Sequence, residues 1–494
     1  MAHKEINSRK AVRLPEEACL RLRRAPSVPY ELPTTMVICS CQSWGGLLRI
    51  VRTMRIKRID LTNFKKYEAQ SFDLHPNFTL FIGDNGSGKT TILDAIAVAL
   101  GVWLAKPPTN GLVNSGRRIV ESEVRLSGEV VGDRVQFSEH RPVSVKAIGS
   151  LVGREELEWT RKVTGSDPST NNSGAKEALG IIQKLYATNG GADRPTLPLL
   201  GYYGAGRAWM PSRQRSEKAT IAKRQPSRFD AYYDCLNERI RLPDLDEWFL
   251  LEMAEAGNRA GKVRPGFEVV RRAIRQCLPD CDLVEFSSDR REITLRIGGV
   301  LQPFSNLSAG QHMMAALIAD LAIRAVTLNA QLLPAEALGP EDEPLPRVLC
   351  ETPGVVLIDE LDVHLHPKWQ RRVATDLKRT FPNVQFVCTS HSPQVIGEVR
   401  SDEIRVLPKD DTEEAKPPSQ SKGMDSNWIL EVVQRADERD PEVKERIKAL
   451  FEQLARKELA EAEKEILHLR GEFGNTGEVQ RAASQLERLK LLNR

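Results

Sequence analysis

The sequence Phe78-Thr-Leu-Phe-Ile-Gly83-Asp-Asn-Gly-Ser-Gly88-Lys89-Thr90 decides the fold. An apolar strand runs into a glycine-rich loop, and Thr90 to Leu100 have the composition of a helix. This order, with the pattern GxxxxGK[ST], is typical of a P-loop, where backbone amides and a helix start surround phosphates. Lys89 would reach the β- and γ-phosphates, and the Thr90 hydroxyl would ligate Mg²⁺. The predicted ATP-binding residues are Gly83, Asp84, Asn85, Gly86, Ser87, Gly88, Lys89, Thr90 and Thr91.

A second stretch, Val355-Val-Leu-Ile358-Asp359-Glu360, supplies acidic groups. Four consecutive aliphatic residues are typical of a strand buried on both faces of a parallel sheet. We predict that Asp359 holds Mg²⁺ through water, which makes Thr90 and Asp359 the metal-binding pair. Glu360 would accept a proton from the attacking water. The alternative is a pair of carboxylates on a solvated strand exit.

Composition limits the remaining possibilities. The 494 residues predict roughly three structural units, and 40% hydrophobic content predicts a folded core. Lys+Arg 71 against Asp+Glu 67 leaves a net charge of +4, so any nucleic-acid surface must be local. No run of about 18 apolar residues predicts a membrane span. The eight cysteines lack zinc spacing and favour a reducing, cytoplasmic setting.

Three further motifs follow the order of a known ATPase family. Leu307-Ser-Ala-Gly-Gln311 precedes a helix predicted over residues 309–331, Asp362 lies in Glu360-Leu-Asp-Val-His-Leu-His-Pro367, and Thr389-Ser-His-Ser392 closes a second buried strand. With the P-loop, they resemble ABC-type AAA family ATPases of the RecF, SMC and overcoming-lysogenization-defect group. The resemblance covers residues 54–400.

The resemblance implies roles for individual residues. The signature residues Leu307, Ser308, Ala309, Gly310 and Gln311 would complete the ATP site of another subunit. His391 would contact the γ-phosphate, which makes Glu360, His391 and Lys89 the catalytic set, and Asp362 would be the D-loop aspartate. Two structural alternatives stay open. Ser308 could simply cap its helix, and His364 and His366 could pack, lie at a dimer interface or join Asp362 in a metal site.

A narrower resemblance comes from Pro198-Leu-Leu-Gly-Tyr-Tyr-Gly-Ala-Gly-Arg207 and Arg228-Phe-Asp-Ala-Tyr-Tyr-Asp-Cys-Leu236. Both are similar to the ATPase subunit of Septu anti-phage systems (PtuA) and its retron-associated relatives, although Ala205 replaces the usual threonine. The tail Lys422-Gly-Met-Asp-Ser-Asn427, with Leu430, is also similar. For that tail, packing and partner contact remain equal alternatives.

The predicted fold class is α/β: an ABC-type P-loop NTPase head with a mixed sheet, an antiparallel β-lobe, a helical insertion and a C-terminal helical hairpin. Residues 1–53 show no sustained period, so we interpret them as a flexible extension or a mis-called start. The other predicted divisions are the head's N-terminal part with the P-loop and β-lobe (54–163), the helical insertion (164–280), the head's C-terminal part with the signature, acidic strand and switch histidine (281–407), a solvated linker (408–425) and the hairpin (426–494).

The resemblance implies a head-to-tail homodimer, or a higher homo-oligomer, closed around ATP and Mg²⁺. It also implies a separate HNH endonuclease partner in anti-phage defence. DNA is a further candidate partner, because basic residues follow Arg207, itself a candidate nucleotide or DNA contact; the alternative is a solvated charged face. This group is Arg207, Arg213, Arg215, Lys218, Lys223, Arg224 and Arg228, with Tyr232 and Tyr233 close behind.

Several classes are disfavoured. The stretch from Lys89 to Ser308 holds the β-lobe and Pro/Gly-rich joints rather than long heptads, so no coiled-coil arm is expected. No TOPRIM nuclease pattern follows His391. Two other functions remain: a RecF-like DNA-repair ATPase that binds gapped or junction DNA, and a non-hydrolysing ATP-bound scaffold. The presence of Glu360 argues against the scaffold.

Overall fold

The computed structural model describes most of the chain from Met54 onward. The described residues are 54–105, 116–165, 170–188, 194–206, 227–238, 240, 242–259, 262–287, 289–290, 292–334, 338, 345–408, 413–436 and 440–492. The predicted N-terminal extension lies outside them.

The strands alternate with helices over much of the chain. The strands are β1 (Met54–Phe64), β2 (Tyr67–Asp73), β3 (Phe78–Ile82), β4 (Arg125–Val131), β5 (Arg134–His140), β6 (Val143–Leu151), β7 (Arg154–Val163), β8 (Leu199–Tyr203), β9 (Cys281–Ser287), β10 (Glu292–Ile297), β11 (Val300–Pro303), β12 (Gly354–Ile358), β13 (Val384–Thr389) and β14 (Ile404–Val406).

The longer helices are α1 (Lys89–Leu100), α2 (Lys176–Ala187), α3 (Leu242–Asn258), α4 (Pro265–Cys277), α5 (Ala309–Leu328), α6 (Pro367–Thr380), α7 (Pro441–Ala455), α8 (Leu459–Phe473) and α9 (Gly477–Leu492). Shorter turns of helix are Gly101–Leu104, Glu121–Glu123, Ser173–Ala175, Arg228–Tyr232, Phe304–Asn306, Ala330–Leu332, Arg347–Glu351, Pro393–Ile396, Ser401–Glu403, Ser426–Trp428 and Ile429–Val433.

A parallel sheet forms the centre of the fold. Its strand order is β14-β3-β13-β12-β8, and every neighbouring pair is parallel. All residues of β3, β8, β12 and β13 are buried, which explains why most of them are apolar. This order places the end of β13 between the P-loop strand β3 and the acidic strand β12.

The antiparallel lobe is built from two distant parts of the chain. Strands β6 and β7 extend a sheet begun by β1 and β2, in the order β2-β1-β6-β7. The β4–β5 hairpin forms a separate two-stranded sheet, and its Val130 and Phe137 side chains are 79% and 64% exposed. The α/β class with parallel and antiparallel sheets is therefore confirmed, while only part of the predicted lobe joins the larger antiparallel sheet.

The predicted helical insertion over residues 164–280 also contributes a strand to the central sheet. Strand β8 pairs in parallel with β12 along its whole length. Its five residues are bounded by proline and glycine, and so short an apolar run does not reveal its partner from sequence. The insertion is therefore not purely helical.

Helix α5 is the central helix that follows the signature. Within the described part of the chain it is the one helix long and apolar enough to cross a membrane, and 72% of its apolar stretch is buried inside the fold. Asp320 on α5 accepts hydrogen bonds from Tyr203 Oη (2.6 Å) and Arg324 Nε (2.7 Å). The bond from Tyr203 attaches α5 to the edge strand β8, while the bond from Arg324 lies within α5.

The C-terminal region differs from the predicted hairpin, because α7, α8 and α9 form three helices around their own apolar cluster. The break near Gly474 was expected from its glycines. The first break was not, since the turn after α7 places Lys457 at φ 64° without glycine or proline. The predicted boundary at residue 426 is also too early, because Ile429 and Val433 pack in the main core.

The predicted solvated linker is partly packed on the head. Val406 pairs with Lys416, and Ser421 is buried and donates a hydrogen bond to Val399 O (2.7 Å). A polar composition without an apolar period predicted solvent exposure. The structure instead uses polar side chains and the backbone to attach this stretch.

Gln385 joins the central sheet to the antiparallel lobe. Its Oε1 accepts a hydrogen bond from Ile56 N (2.9 Å), and its Nε2 donates to Ile56 O (2.8 Å) and His75 O (3.0 Å). The β1–β6 register shifts between Ile56 and Arg58. The buried amide thus satisfies backbone groups beside an irregular part of the ladder.

We predict that Gln385→Ala lowers the free energy of unfolding by about 3 kcal/mol, because it leaves buried backbone groups of Ile56 without partners. Chemical denaturation measures the effect. The control is Gln480→Ala, an exposed glutamine whose substitution should cost about 0.5 kcal/mol at most. Equal stability of the two variants would contradict the joining role of Gln385.

Candidate nucleotide-binding site

The P-loop has the backbone geometry that its glycines predict. Gly83, Gly86 and Gly88 have φ values of 153°, 79° and 97°, which residues other than glycine rarely adopt. At Gly88 a Cβ atom would also overlap the Tyr67 hydroxyl. The loop therefore requires glycine at this point both for its conformation and for close packing.

Lys89 closes this loop from inside. Its Nζ donates hydrogen bonds to Gly83 O and Asp84 O, each at 2.9 Å. Burial lowers the pKa of Lys89, while the nearby carboxylates, first Asp359 and then Glu360, act in the opposite direction. The ammonium group is thus held where the loop curves, close to the acidic strand end.

Ser87 supplies the observation that bears most directly on phosphate binding. The residue is buried, and its Oγ atom has no hydrogen-bond partner among the residues described. A buried hydroxyl without a partner is energetically unfavourable. Its Oγ lies close to Gly83 within the same loop, a position that suits donation to an anionic oxygen.

A hydrogen bond joins the P-loop to the acidic strand. Thr90 Oγ1 donates to Asp359 Oδ2 at 2.8 Å, so the two predicted metal-binding residues lie in contact. A hydroxyl and a carboxylate are hard oxygen ligands of the kind that Mg²⁺ prefers. The donor set therefore fits the metal implied by the motifs.

Thr389, at the end of β13, holds the acidic residues in place. Its hydroxyl donates to Asp359 Oδ1 (2.5 Å) and accepts from Glu360 N (2.7 Å), while its carbonyl accepts from Leu361 N (2.8 Å). Glu360 has a left-handed φ of 46°, a strained conformation for glutamate. The hydrogen bonds that Glu360 N and Leu361 N donate to Thr389 stabilise this turn, and the chain leaves the strand sharply at Glu360.

The D-loop, around Asp362, is hydrogen-bonded to the residues that follow strand β13. Ser390 Oγ donates to Asp362 Oδ1 (2.5 Å) and accepts from Ser392 N (2.9 Å). Ser392 Oγ in turn donates to Gln370 Oε1 (2.7 Å), and Gln370 Nε2 donates to Leu365 O (2.9 Å). His391 is therefore carried between two serines that are each tied to the segment after the acidic strand.

The surroundings of His391 favour its neutral form. Burial, and then the positive charge of Lys89, lower the pKa of His391 from its ordinary value of 6.5, although Asp362 and Glu360 oppose this shift. A neutral imidazole can donate one hydrogen bond and accept another. It can therefore contact a phosphate oxygen at pH 7 without adding a full charge.

The signature forms the start of α5. Ser308 Oγ accepts from Gln311 N (3.3 Å) and Gln311 Oε1 accepts from Ser308 N (3.0 Å), so the structural alternative of a capped helix is present. Ser308 and Ala309 are nevertheless exposed. A Cβ at Gly310 would overlap His364 O, so the signature packs closely against the backbone after the D-loop.

His366 has a structural role. Its Nδ1 accepts a hydrogen bond from Lys368 N (3.2 Å) at the start of α6, where Pro367 occupies the first turn. This favours packing, one of the readings left open for the two histidines of this motif. His364 adopts a left-handed φ of 59° in the turn that contacts Gly310.

Sequence reasoning missed the residues that support the P-loop from the turn between β1 and β2. Lys66 Nζ and Tyr67 Oη donate hydrogen bonds to Ser87 O at 3.2 and 3.0 Å. Lys65 forms an ion pair with the buried Asp94 on α1. The signal was the run Lys65-Lys66-Tyr67 after an amphipathic strand, but nothing in its spacing points to the P-loop.

Only part of the basic group predicted as a DNA contact lies among the described residues. Arg228 instead donates to Leu328 O (2.7 Å) at the end of α5 and to Pro195 O (2.9 Å), and the buried Tyr232 donates to Pro198 O (3.0 Å). Arg228 and Tyr232 are therefore used in packing, and a nucleic-acid role for the basic group stays a prediction. Arg207, Arg213, Arg215, Lys218, Lys223 and Arg224 lie outside the described residues.

The strand, glycine-rich loop and helix, with an acidic strand end hydrogen-bonded to the loop threonine, define a P-loop ATPase site. Family models agree with this class. One described as "AAA domain" matches residues 58–252, and one described as "AAA domain, putative AbiEii toxin, Type IV TA system" matches residues 285–397. The chain is an ATPase that is similar to AAA-domain proteins.

Curated relatives identify a narrower group to which the chain is similar. The Retron Vc95 probable ATPase of Vibrio cholerae serotype O1 biovar El Tor is 26% identical over 72% of this chain and 73% of its own. The Retron Ec83 probable ATPase of Escherichia coli is 25% identical over 79% and 78%. Septu protein PtuA of Bacillus mycoides (strain KBAB4) is 23% identical over 76% of this chain and 44% of its own.

We predict that Thr389→Val lowers kcat for ATP hydrolysis by about tenfold, because valine cannot bond to Asp359 or to Glu360 N. Steady-state turnover measures the change. The control is Thr380→Val, a buried threonine whose hydroxyl contacts Cys277 Sγ at 3.1 Å. If Thr389→Val turns over ATP at the wild-type rate, the hydroxyl does not position the acidic residues.

Proposed function

We propose that this chain binds ATP with Mg²⁺ in the P-loop and hydrolyses it with Glu360 as the general base. The observation that carries the proposal is the bond between Thr90 Oγ1 and Asp359 Oδ2. It brings the P-loop and the acidic strand end into one site. Thr90 and Asp359 would hold Mg²⁺, which when bound neutralises phosphate charge.

The chain's own groups would perform the remaining steps. The loop amides, Lys89 and the Ser87 hydroxyl, which has no hydrogen-bond partner among the described residues, bind and orient the phosphates. Glu360, turned away from the strand by its left-handed conformation, would take a proton from a water molecule aligned with the γ-phosphate. His391 would contact the γ-phosphate and report its loss.

We further propose that two chains close head to tail around ATP. Ser308 and Ala309 are exposed at the start of a 20-residue helix, where amide groups and the helix dipole favour anions. The signature packs on the backbone after the D-loop, and Asp362 is bonded to the serine before His391. A γ-phosphate held by both chains would therefore favour the closed state over the open state.

The biological role that we propose is control of a partner HNH endonuclease in anti-phage defence. The support is the similarity to retron ATPases and to Septu protein PtuA along most of this chain. Nucleotide state would be the signal passed to the partner. Assemblies larger than a dimer are compatible with this role.

The hydrolytic assignment predicts that Glu360→Gln lowers turnover at least about 100-fold, since the amide cannot accept the proton. The variant should still bind ATP and shift to a dimer with ATP and Mg²⁺, as measured by light scattering. Lys89→Ala should lose ATP binding, and the exposed Glu445→Gln should behave as wild type. Equal turnover of Glu360→Gln and wild type would reject Glu360 as the base, and absence of an ATP-dependent dimer would reject the closed state.

The defence role predicts a nuclease partner. We expect that tagged Glu360→Gln protein, expressed from its own genomic segment and captured with ATP, carries a stoichiometric nuclease identifiable by mass spectrometry. Lys89→Ala protein serves as the matched control for nucleotide dependence. Recovery of the ATPase with gapped or junction DNA and without a nuclease would instead support a RecF-like repair function.

A further inference from the structure

The chain between residues 421 and 436 lies against the element that follows His391. Gly423 N donates a hydrogen bond to Gly397 O at 2.8 Å, and Ser421 Oγ donates to Val399 O at 2.7 Å. Ile429 is fully buried in the main core. We name residues 421–436 the tail segment. It contains the Lys422–Asn427 motif, to which the sequence assigned no role.

The tail segment ends in an unusual turn. Asp425 Oδ1 accepts from Asn427 N (3.0 Å) and Trp428 N (3.1 Å) and so starts a short helix. The chain then widens into a π-helical turn over Ile429–Val433. Such turns are rare and frequently occur at functional sites. The residue that follows this turn is Gln434.

Gln434 contacts the switch residue directly. Its Nε2 donates a hydrogen bond to His391 O at 2.8 Å. Its Oε1 is buried and has no hydrogen-bond partner within the described part of the chain. Only one end of this buried amide is therefore hydrogen-bonded among the described residues, and that end contacts His391. A buried polar atom without a partner is unfavourable, so packing alone does not explain a glutamine here.

We propose that Gln434 is a positioning residue for His391, and that the tail segment couples the nucleotide state of the site to the three-helix unit α7–α9. The proposal rests on the role proposed above for His391. Contacts before and after His391 come from Asp362 and Gln370, within the same part of the head. The Gln434 bond instead comes from the stretch that leads into α7.

The physical argument concerns the backbone of His391. If this residue moves when the γ-phosphate is lost, its carbonyl must either carry Gln434 with it or break the bond. Asp440 follows Gln434 by six positions. Its Oδ1 accepts a hydrogen bond from Glu442 N (2.9 Å) and so caps α7. Movement at the nucleotide site would therefore reach the start of the three-helix unit through a short path.

Matched substitutions at one position test the positioning role. Gln434→Met keeps the length of the side chain and removes the donor, whereas Gln434→Lys keeps a donor. We expect kcat to fall about tenfold in Gln434→Met with KM for ATP within about twofold, and to recover in Gln434→Lys. Asn427→Ala, an exposed change on the same segment, should match wild type.

Hydrogen exchange of the full-length protein tests the coupling in the Glu360→Gln background, which keeps ATP bound. Addition of ATP and Mg²⁺ to Glu360→Gln protein should slow exchange of the amides of residues 429–436 and of the start of α7. The same comparison in Glu360→Gln/Gln434→Met protein should lose this response. Unchanged exchange at residues 429–436 with ATP bound would overturn the coupling.

His391→Ala separates this proposal from the role on which it rests. If His391→Ala hydrolyses ATP at the wild-type rate, the proposed function of His391 fails and the positioning role fails with it. If His391→Ala lowers kcat and Gln434→Met does not, the role of His391 stands and the positioning role alone is overturned.

Discussion

Strands β3, β13 and β12 end side by side, and the rest of the site depends on this alignment. Parallel pairing aligns Phe81 with Thr389, and Ile358 with Cys388. The residue after each aligned end therefore meets its neighbours at one edge of the sheet. Because all three strands are buried, the polar groups at this edge must form hydrogen bonds with one another. The site is built from these hydrogen-bonded groups.

Thr389 shows how this constraint operates. Its hydroxyl bonds to Asp359 and to Glu360 N, while the other Asp359 oxygen accepts from Thr90 at the P-loop. A single carboxylate thus connects both motifs through two hydroxyl groups. The arrangement holds the groups before any nucleotide arrives, and such preorganisation is the condition for electrostatic catalysis.

Further contacts connect the site to the surrounding parts of the head. Gly310 lets the signature pack closely on the turn after the D-loop. Asp362 in turn accepts a hydrogen bond from Ser390, which follows strand β13. The tail segment then contacts His391 from the opposite end of the chain. The ATPase site is consequently in contact with both the candidate subunit interface and the tail segment.

The amino-acid sequence by itself determined the P-loop, the acidic strand and their order, because each is a local pattern whose chemistry depends on neighbouring residues. It also indicated an α/β head with an antiparallel lobe. Only the tertiary structure decided that β8 joins the central sheet, that Arg228 caps α5, and that Thr389 and Gln434 touch the site. These contacts join residues far apart in the chain, and their composition and spacing are the same whether such residues pack inside or face solvent.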